Sequence, residues 1–282
     1  MTEDIKINSR KKLNERLFIS NGSIMTEIIG HVKCLPLTYV PKEPWRRLNK
    51  NELAVLTNKN KIEYTDVSII EIPNFLKKEL VRLKLDCCIN VNDINFIQSS
   101  KEYKLVLNKV INYFEAWANI KKSCTPHNLF FGQPNLKNNT FNTKENVYIG
   151  MHLDSWENEM IEKRINSRNR ICINLGKEPR YLLFYNLSIY KMAEFLNEDI
   201  TNFKTDINGL YKKFAYSFPN YPILKLKIMP YECYLAPTEF MIHDGCNDGS
   251  SYPDINLVIR GHYFYKKYNI LTNFINNLNQ KK

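Results

Sequence analysis

A histidine and an aspartate stand two residues apart in VYIGMHLDSW, the stretch from Val147 to Trp156. Alternate side chains of a β-strand share a face, so a strand here would direct His152 and Asp154 to the same side. Imidazole and carboxylate are both metal-ligand groups, so their convergence predicts part of a metal site. Two interpretations need no metal: Asp154 orients a buried His152, or both residues lie at a solvated strand end.

A third metal ligand has to come from a distant strand. Among the five histidines, His243 ends the strand-like stretch YLAPTEFMIHDG and precedes an Asp-Gly turn, which would leave its imidazole at the rim of a barrel. Two neutral imidazoles and one carboxylate form the facial triad of non-haem Fe(II) oxygenases, which leaves coordination positions open for catalysis. His262, in VIRGHYF, is the alternative to His243 as a ligand.

Arg260 lies in the aliphatic stretch NLVIRGHYF, on the predicted strand that follows His243. A buried guanidinium needs an anionic partner, and its planar fork suits a carboxylate. One interpretation is a clamp for the carboxylate of an acidic cosubstrate, and the other is an ion pair with an Asp or Glu of the fold. Strand parity gives Arg260 and His262 the same face, so both are candidates for the same pocket.

The order of these residues resembles the HxD…H…R signature of the Fe(II)/2-oxoglutarate-dependent oxygenases. The stretches NRICINLGKEPRYLLFYNL and CYLAPTEFMIHDG are further similar to bacterial natural-product tailoring hydroxylases of that superfamily. The resemblance covers residues 148–265 and implies a double-stranded β-helix, a cupin-like jelly roll with helices against one sheet. It implies that His152, Asp154 and His243 bind Fe(II). Arg260 would then hold the far carboxylate of 2-oxoglutarate.

The resemblance also implies an activity, with Fe(II) as the metal and 2-oxoglutarate and O2 as cosubstrates. That activity is hydroxylation of an unactivated C–H bond of an amino acid or peptide-like substrate in specialised metabolism; desaturation and cyclisation are the other outcomes. Because related halogenases lack the carboxylate that Asp154 supplies, halogenation is disfavoured. Arg260 follows His243 by 17 residues, a longer interval than the family pattern, and the loop DGCNDGSSYPD accounts for the excess.

Other polar and aromatic side chains on these strands are predicted to line the pocket. The predicted substrate-binding residues are Arg170, Trp156, Glu239 and Tyr148, and the predicted cofactor-binding residues besides Arg260 are Asn174 and His262. Arg180 is a further candidate for a polar contact. Each has a structural alternative: packing for the aromatic residues, surface charge for Arg170 and Arg180, turn formation for Asn174, and an ion pair with one of those arginines for Glu239.

Short strands are the elements that must position these residues. Runs of β type occupy 146–152, 170–175, 180–187, 223–229, 232–242 and 255–265, and turn sequences such as GKEP and MPYE separate most of them. Helical periodicity covers 75–85 and, for longer, YKLVLNKVINYFEAWANIKK from Tyr103. We therefore predict a mainly β fold with flanking helices, built on a jelly-roll core.

We predict a single domain with three parts. Residues 1–125 form an N-terminal extension with buttressing helices, 126–268 form the catalytic double-stranded β-helix with a helical insertion near 189–216, and 269–282 form a C-terminal tail. A chain of 282 residues can bury a sizeable core.

Composition excludes some classes of protein. The seven cysteines are an odd number without a CxxC pair, which disfavours a disulfide framework and a thiolate zinc site. The sequence has no apolar run of 18 residues, and its polar N-terminus lacks the apolar core of a signal peptide, so we expect no membrane span and a cytoplasmic location.

Three alternative functions stay open. The net charge of +11 favours an oxygenase that acts on nucleic acid or on a protein side chain, although the scattered lysines favour a solvated basic surface over a nucleic-acid groove. The expected partner is a small-molecule or peptide-like substrate, as the resemblance implies. A cupin-like hydrolase or isomerase would use the same ligands for zinc or manganese. A barrel that binds a small molecule or a partner would need no redox chemistry.

Overall fold

The computed structural model describes residues 4–57, 63–118 and 124–264. The strands are β1 Ile7–Asn8, β2 Leu17–Ser20, β3 Ser23–Ile29, β4 Val32–Pro41, β5 Arg46–Arg47, β6 Val67–Glu71, β7 Thr125–Gly132, β8 Phe141–Asn142, β9 Val147–Tyr148, β10 Asn169–Asn174, β11 Arg180–Ser188, β12 Ile223–Ile228, β13 Glu232–Ala236, β14 Met241–Cys246 and β15 Asp254–Gly261. The α-helices are α1 Lys50–Leu56, α2 Asn74–Arg82, α3 Val91–Ser99, α4 Lys101–Glu115, α5 Ile189–Phe195 and α6 Ile207–Ser217. Short 3-10 helices cover Leu13–Glu15, Leu85–Cys87, Ile161–Asn166 and Ile200–Phe203.

Two sheets dominate the described chain. The first has the order β1-β6-β13-β10-β15-β7 and the second the order β14-β11-β12-β2-β5. Every pairing within them is antiparallel except that of β1 with β6. A smaller sheet has the order β3-β4-β9-β8. The prediction of a sheet-rich fold with several helices is therefore confirmed.

An apolar layer lies between the two large sheets. It takes alternate residues from each strand, as expected where each sheet has one face toward this layer. The first sheet contributes Cys172, Tyr234, Ala236 and Val258, and the second contributes Leu182, Phe184, Leu224, Leu226 and Met241. The residues that alternate with them face outward, toward helices.

Helices cover the outer face of each large sheet. Helices α2, α3 and α4 pack on the first sheet through Leu76, Ile94, Val110 and Phe114, against Ile171, Ile173, Leu235 and Ile259. Helices α5 and α6 pack on the second sheet through Met192, Leu210 and Phe214, against Leu183, Tyr185 and Ile242. The result is four layers, helix, sheet, sheet and helix, with the inner faces left for the site.

Side-chain caps fix where several helices begin. The Ser100 hydroxyl accepts a hydrogen bond from the Tyr103 amide at 3.0 Å at the start of α4, and Ser188 caps α5 in the same way. At α3, Asn90 and Asp93 form a reciprocal capping box. Such caps satisfy amide groups that the first turn of a helix leaves without partners.

The structure corrects two predicted strands. The run at 232–242 is two strands, because the chain turns after Pro237 and the amides of Phe240 and Met241 bond the Pro237 carbonyl before β14 begins. Proline donates no ladder hydrogen bond, so it suits this break. The run at 146–152 is regular only over Val147–Tyr148, because Gly150 has a φ of +70° that ends the extended conformation.

The N-terminal part is more than an extension with helices. Strands β1 and β6 join the first sheet, and β2 and β5 join the second. The insertion near 189–216 divides into α5, a 3-10 turn and α6. The predicted tail, 269–282, lies outside the described residues. Within the described ranges, every helix is too short or too polar to cross a bilayer.

Candidate metal centre

Three side chains that can bind a metal meet on the inner side of the second sheet. The ligand atoms of His152, Asp154 and His243 all lie within 4.8 Å of one another, and all three residues are buried. The Nε2 atom of His152 is 3.6 Å from Oδ1 of Asp154, and Nε2 of His243 is 3.7 Å from Oδ2. The predicted triad is thus brought together, with His243 in the third position.

Main-chain pairing holds the three residues in register. His152 and His243 exchange two backbone hydrogen bonds, 3.0 Å from the His152 amide and 2.9 Å from the His243 amide. The Asp154 amide donates to the Thr238 carbonyl at 3.1 Å. Segment 150–154 therefore lies alongside β14, and the alternation expected of His152 and Asp154 holds locally although the regular strand has ended.

The outer ring nitrogens of both histidines face backbone carbonyls. Nδ1 of His152 lies 2.8 Å from the Gly150 carbonyl, and Nδ1 of His243 lies 3.3 Å from the Met241 carbonyl. Donation to these carbonyls requires a proton on Nδ1, which leaves the Nε2 lone pairs directed at Asp154. Nε2 of His243 is buried and has no hydrogen-bond partner among the described residues. A metal ion would satisfy this atom.

The electrostatics of the cluster also suit a cation. Burial lowers the pKa of His243 to about 3, so its imidazole is neutral at physiological pH. Burial works to raise the pKa of Asp154, but His243, His152 and Arg170 together hold it well below its ordinary value. A carboxylate with neutral His243 suits metal binding. Burial works to lower the pKa of His152, but Asp154 holds it above its ordinary value, so a metal would displace a proton there. Two nitrogens and one oxygen fit a divalent first-row metal such as Fe(II), with positions left open.

The substitution Gly150→Ala would test whether the backbone next to His152 controls stability and metal binding at this site. A Cβ at this position would lie 2.6 Å from Thr38 Cγ2 and 3.0 Å from the Tyr39 carbonyl oxygen, at a φ of +70°. We expect Gly150→Ala to cost about 1–3 kcal/mol of stability. Because the Gly150 carbonyl orients His152, we also expect the affinity for Mn(II) to fall about 10–100-fold.

Urea unfolding and Mn(II) titration would check both effects of Gly150→Ala. The matched control is Gly249→Ala, where φ is +80° but no atom lies within 4 Å of the added Cβ. The control should lose some stability from backbone strain and keep its metal affinity. Equal metal affinity in both variants would contradict a role of Gly150 in positioning His152.

The buried Arg164 and the partly buried Arg170 contact the Asp154 segment. Nη1 of Arg170 lies 3.4 Å from Oδ2 of Asp154, so this predicted substrate residue is beside a metal ligand. Arg164 donates from Nη1 to the Asp154 carbonyl at 2.6 Å and from Nη2 to the Ser155 hydroxyl at 2.7 Å. Arg164 therefore fixes the backbone of the loop immediately after the metal ligand.

Arg260 is neutralised by the fold. Its Nη2 makes a short ion pair with Glu239 and lies 3.2 Å from Oε1 of Glu157. Glu239 also accepts hydrogen bonds at 3.0 Å from the amides of Trp156 and Glu157. The ion-pair interpretation of Arg260 thus describes the structure, and the partner of Glu239 is Arg260 rather than Arg170 or Arg180. Trp156 is half exposed, with its ring centroid 4.9 Å from that of His127.

Four other predicted residues have structural surroundings. His262 stacks near Tyr64, with 6.3 Å between ring centroids, and is not part of the metal cluster. Asn174 bonds the Glu178 and Ile228 carbonyls and the Gly176 amide, which makes it a turn residue. Tyr148 packs on Phe141 because the bend at Gly150 separates it from the face of His152. Arg180 is buried and pairs with Asp254 at 3.0 Å, so it is not a surface charge.

Sequence reasoning missed Arg164, Glu157 and His127. Arg164 and Glu157 follow the HxD motif within ten residues. The one feature of the sequence that points to them is their charge, in a segment that leads back to the sheet. His127 precedes the main series of strands in the sequence, but β7 is the edge of the first sheet and brings His127 to Trp156.

Comparisons with known proteins give one weak similarity. No protein-family model and no curated protein matches the chain. Among solved structures it is similar to the Kdo hydroxylase KdoO, described as a non-heme Fe(II) alphaketoglutarate dependent dioxygenase in complex with cobalt(II). That match has 9% sequence identity and a TM-score of 0.37, and covers 70% of this chain and 80% of the other. Similarity at this level carries no argument about activity.

Proposed function

We propose that the protein is an Fe(II)/2-oxoglutarate-dependent oxygenase. The observation that carries this proposal is the buried cluster of His152, Asp154 and His243, in which the Nε2 atoms face one carboxylate and that of His243 has no hydrogen-bond partner within the described ranges. A closed structural zinc site would need a fourth protein ligand, and the described residues supply three. An open position is what a substrate or O2 requires.

The order of the strands supports a double-stranded β-helix as the core. From β7 onward the chain passes from the first sheet to segment 150–154 beside β14, then to β10, and to β11 and β12. It returns to the first sheet at β13, crosses to β14 and ends at β15. This repeated crossing between facing sheets is the winding expected of a jelly roll.

The chain's own residues have defined tasks in this proposal. His152, Asp154 and His243 would hold Fe(II), which with O2 and 2-oxoglutarate supplies the oxidising chemistry when bound. Arg164 fixes the Asp154 carbonyl, and the Gly150 and Met241 carbonyls orient the two imidazoles. Phe184, which pairs in register with His243 and is fully buried, helps to exclude water from the site.

For the substrate, the proposal names a chemical class only. Hydroxylation of an amino acid or peptide-like substrate in specialised metabolism follows from the sequence resemblance alone. It stays a prediction, as does a cytoplasmic location.

Anaerobic reconstitution would test the function. Wild-type protein with Fe(II) and 2-oxoglutarate should develop the weak visible charge-transfer band of the chelated cosubstrate and, on exposure to O2, convert 2-oxoglutarate to succinate. His152→Ala should lose both. His31→Ala, at an exposed turn between β3 and β4, is the matched control and should keep both. Iron-loaded, folded wild type with no band and no succinate would sink the proposal and direct attention to a zinc or manganese enzyme.

A further inference from the structure

Three buried arginines and the partly buried Arg170 surround the site, and the four differ in what neutralises them. Arg180 has Asp254, and Arg260 has Glu239 and Glu157. Arg164 donates to a backbone carbonyl and a hydroxyl. The side chain of Arg170 has Asp154 as its one hydrogen-bond partner in the described part of the chain. Arg170 is thus the arginine whose counterion is also a candidate metal ligand.

Arg170 is also the more accessible of two arginines that face each other on neighbouring strands. It pairs in register with Arg260 on the neighbouring strand, and its side chain keeps 17% of its surface accessible, against 2% for Arg260. Its Nε, like those of Arg164 and Arg260, is buried without a hydrogen-bond partner among the described residues. Arg170 thus combines a partly accessible side chain with a single carboxylate partner, Asp154, in the described part of the chain.

Metal binding would change the balance of charge around Arg170. In the metal-free protein the Asp154 carboxylate neutralises the guanidinium across 3.4 Å. A divalent ion on Asp154 takes that negative charge and adds positive charge beside Arg170, and a poorly solvated guanidinium without a counterion is costly. Arg260 keeps two carboxylates whether or not a metal is bound. The demand for a new anion therefore falls on Arg170.

We propose that Arg170, in place of Arg260, binds a carboxylate of 2-oxoglutarate. Asp154 pairs with Arg170 until a metal ion binds to Asp154. The cosubstrate in this inference rests on the proposed function. The scheme couples the two ligands: metal favours the carboxylate, and by linkage the carboxylate favours the metal to the same degree. Arg260 instead ties Glu239 to the Trp156–Glu157 segment.

A first experiment compares two 2-oxo acids in metal-loaded, anaerobic protein. Isothermal titration would follow 2-oxoglutarate and 2-oxopentanoate, which lacks the far carboxylate, on Mn(II)-loaded wild type and Arg170→Gln. Loss of a charge-assisted bidentate contact should weaken 2-oxoglutarate about 10–100-fold. Unchanged 2-oxopentanoate affinity would assign Arg170 to the far carboxylate, and an equal loss would assign it to the carboxylate that both acids share.

The comparison variant removes Arg260 without leaving a buried charge. In Arg260→Met/Glu239→Gln, the amide oxygen of Gln can still accept from the Trp156 and Glu157 amides. This double variant should bind 2-oxoglutarate with a Kd within about threefold of wild type, a smaller change than the loss of one charge-assisted contact would cause. If the double variant loses affinity and Arg170→Gln retains it, the assignment is overturned. Arg170→Lys, which keeps the charge and loses the fork, should give an intermediate affinity and guards against misfolding of Arg170→Gln.

A second experiment needs no metal, so it separates this inference from the proposed function. Asp154→Asn removes the carboxylate that competes for Arg170 and keeps the shape of the side chain. Metal-free Asp154→Asn should therefore bind succinate at least about tenfold more tightly than metal-free wild type, because a succinate carboxylate can pair with Arg170 in place of Asp154. Adding Arg170→Gln should abolish the gain. Failure of wild type to bind metal or 2-oxoglutarate would sink the function, while the Asp154→Asn result would still decide Arg170. No gain in Asp154→Asn overturns the role of Arg170.

Discussion

His243→Leu is expected to abolish stabilisation by metal while leaving the metal-free protein at least as stable as wild type. Nε2 of His243 is buried without a hydrogen-bond partner among the described residues, so leucine removes an unsatisfied polar atom, and this gain offsets the lost contact of Nδ1 with the Met241 carbonyl. Wild type should gain about 2.7 kcal/mol at a metal concentration of 100 Kd. The variant keeps two of three ligand atoms, so its affinity for Mn(II) should fall by more than about 100-fold, beyond the loss typical of an outer-sphere partner.

Thermal unfolding with and without Mn(II) measures both parts of this expectation. His262→Leu is the matched control, because His262 stacks near Tyr64 outside the cluster and its loss should leave the metal response intact. A variant at His243 that still responds to metal as wild type does, or a His262 variant that does not, would show that the third ligand has been misassigned.

Arg260→Met is expected to be among the most destabilising single substitutions in the chain. It leaves Glu239, whose side chain is 1% exposed, without its cation. Removing one partner of a buried ion pair costs about 3–5 kcal/mol. The double variant Arg260→Met/Glu239→Gln should recover most of that loss, because no uncompensated charge is then buried.

The loss caused by Arg260→Met should depend on pH. Burial raises the pKa of Glu239 even with Arg260 beside it, and without Arg260 the folded-state pKa rises further. The carboxyl of the unfolded chain ionises near about 4.3, so the penalty is small in acid and grows as pH rises through the folded-state pKa. Urea unfolding at several pH values would measure it.

The control is Arg168→Met. Arg168 pairs at 2.7 Å with Glu157, which also contacts Arg260, but the Arg168 side chain is 26% exposed. We expect this change to cost between about 0 and 1 kcal/mol. A pH-independent loss in Arg260→Met, or an equal loss in Arg168→Met, would contradict the view that Glu239 is the group left uncompensated.

Local sequence patterns predicted the strands that a short apolar run marks directly. The pattern of short apolar runs identified β10, β11, β12 and β15 to within four residues at each end, because nearly every position of these strands is buried. It missed the break after Pro237, because an apolar run on both sides resembles one strand. It also missed β1, β2, β3 and β5, where pairing with distant partners rather than composition decides the structure.

The metal ligands could be predicted because their spacing reflects local geometry, two residues along an extended segment. The surrounding arginines could not. Arg170 and Arg260 lie on adjacent strands with the same environment in sequence, yet one meets Asp154 and the other meets Glu239 and Glu157. Those pairings depend on how loops return over the sheets, and a single sequence carries no record of such contacts.

The paired backbones of His152 and His243 have a thermodynamic consequence. Because each residue donates to and accepts from the other, the two imidazoles are anchored in one closed hydrogen-bonded ring of main chain before any metal arrives. An ion entering such a frame orders few additional dihedral angles, so little conformational entropy opposes its capture. The ring should also limit how far the two ligands can spread around a larger cation, so we expect ionic radius as well as donor type to affect metal affinity.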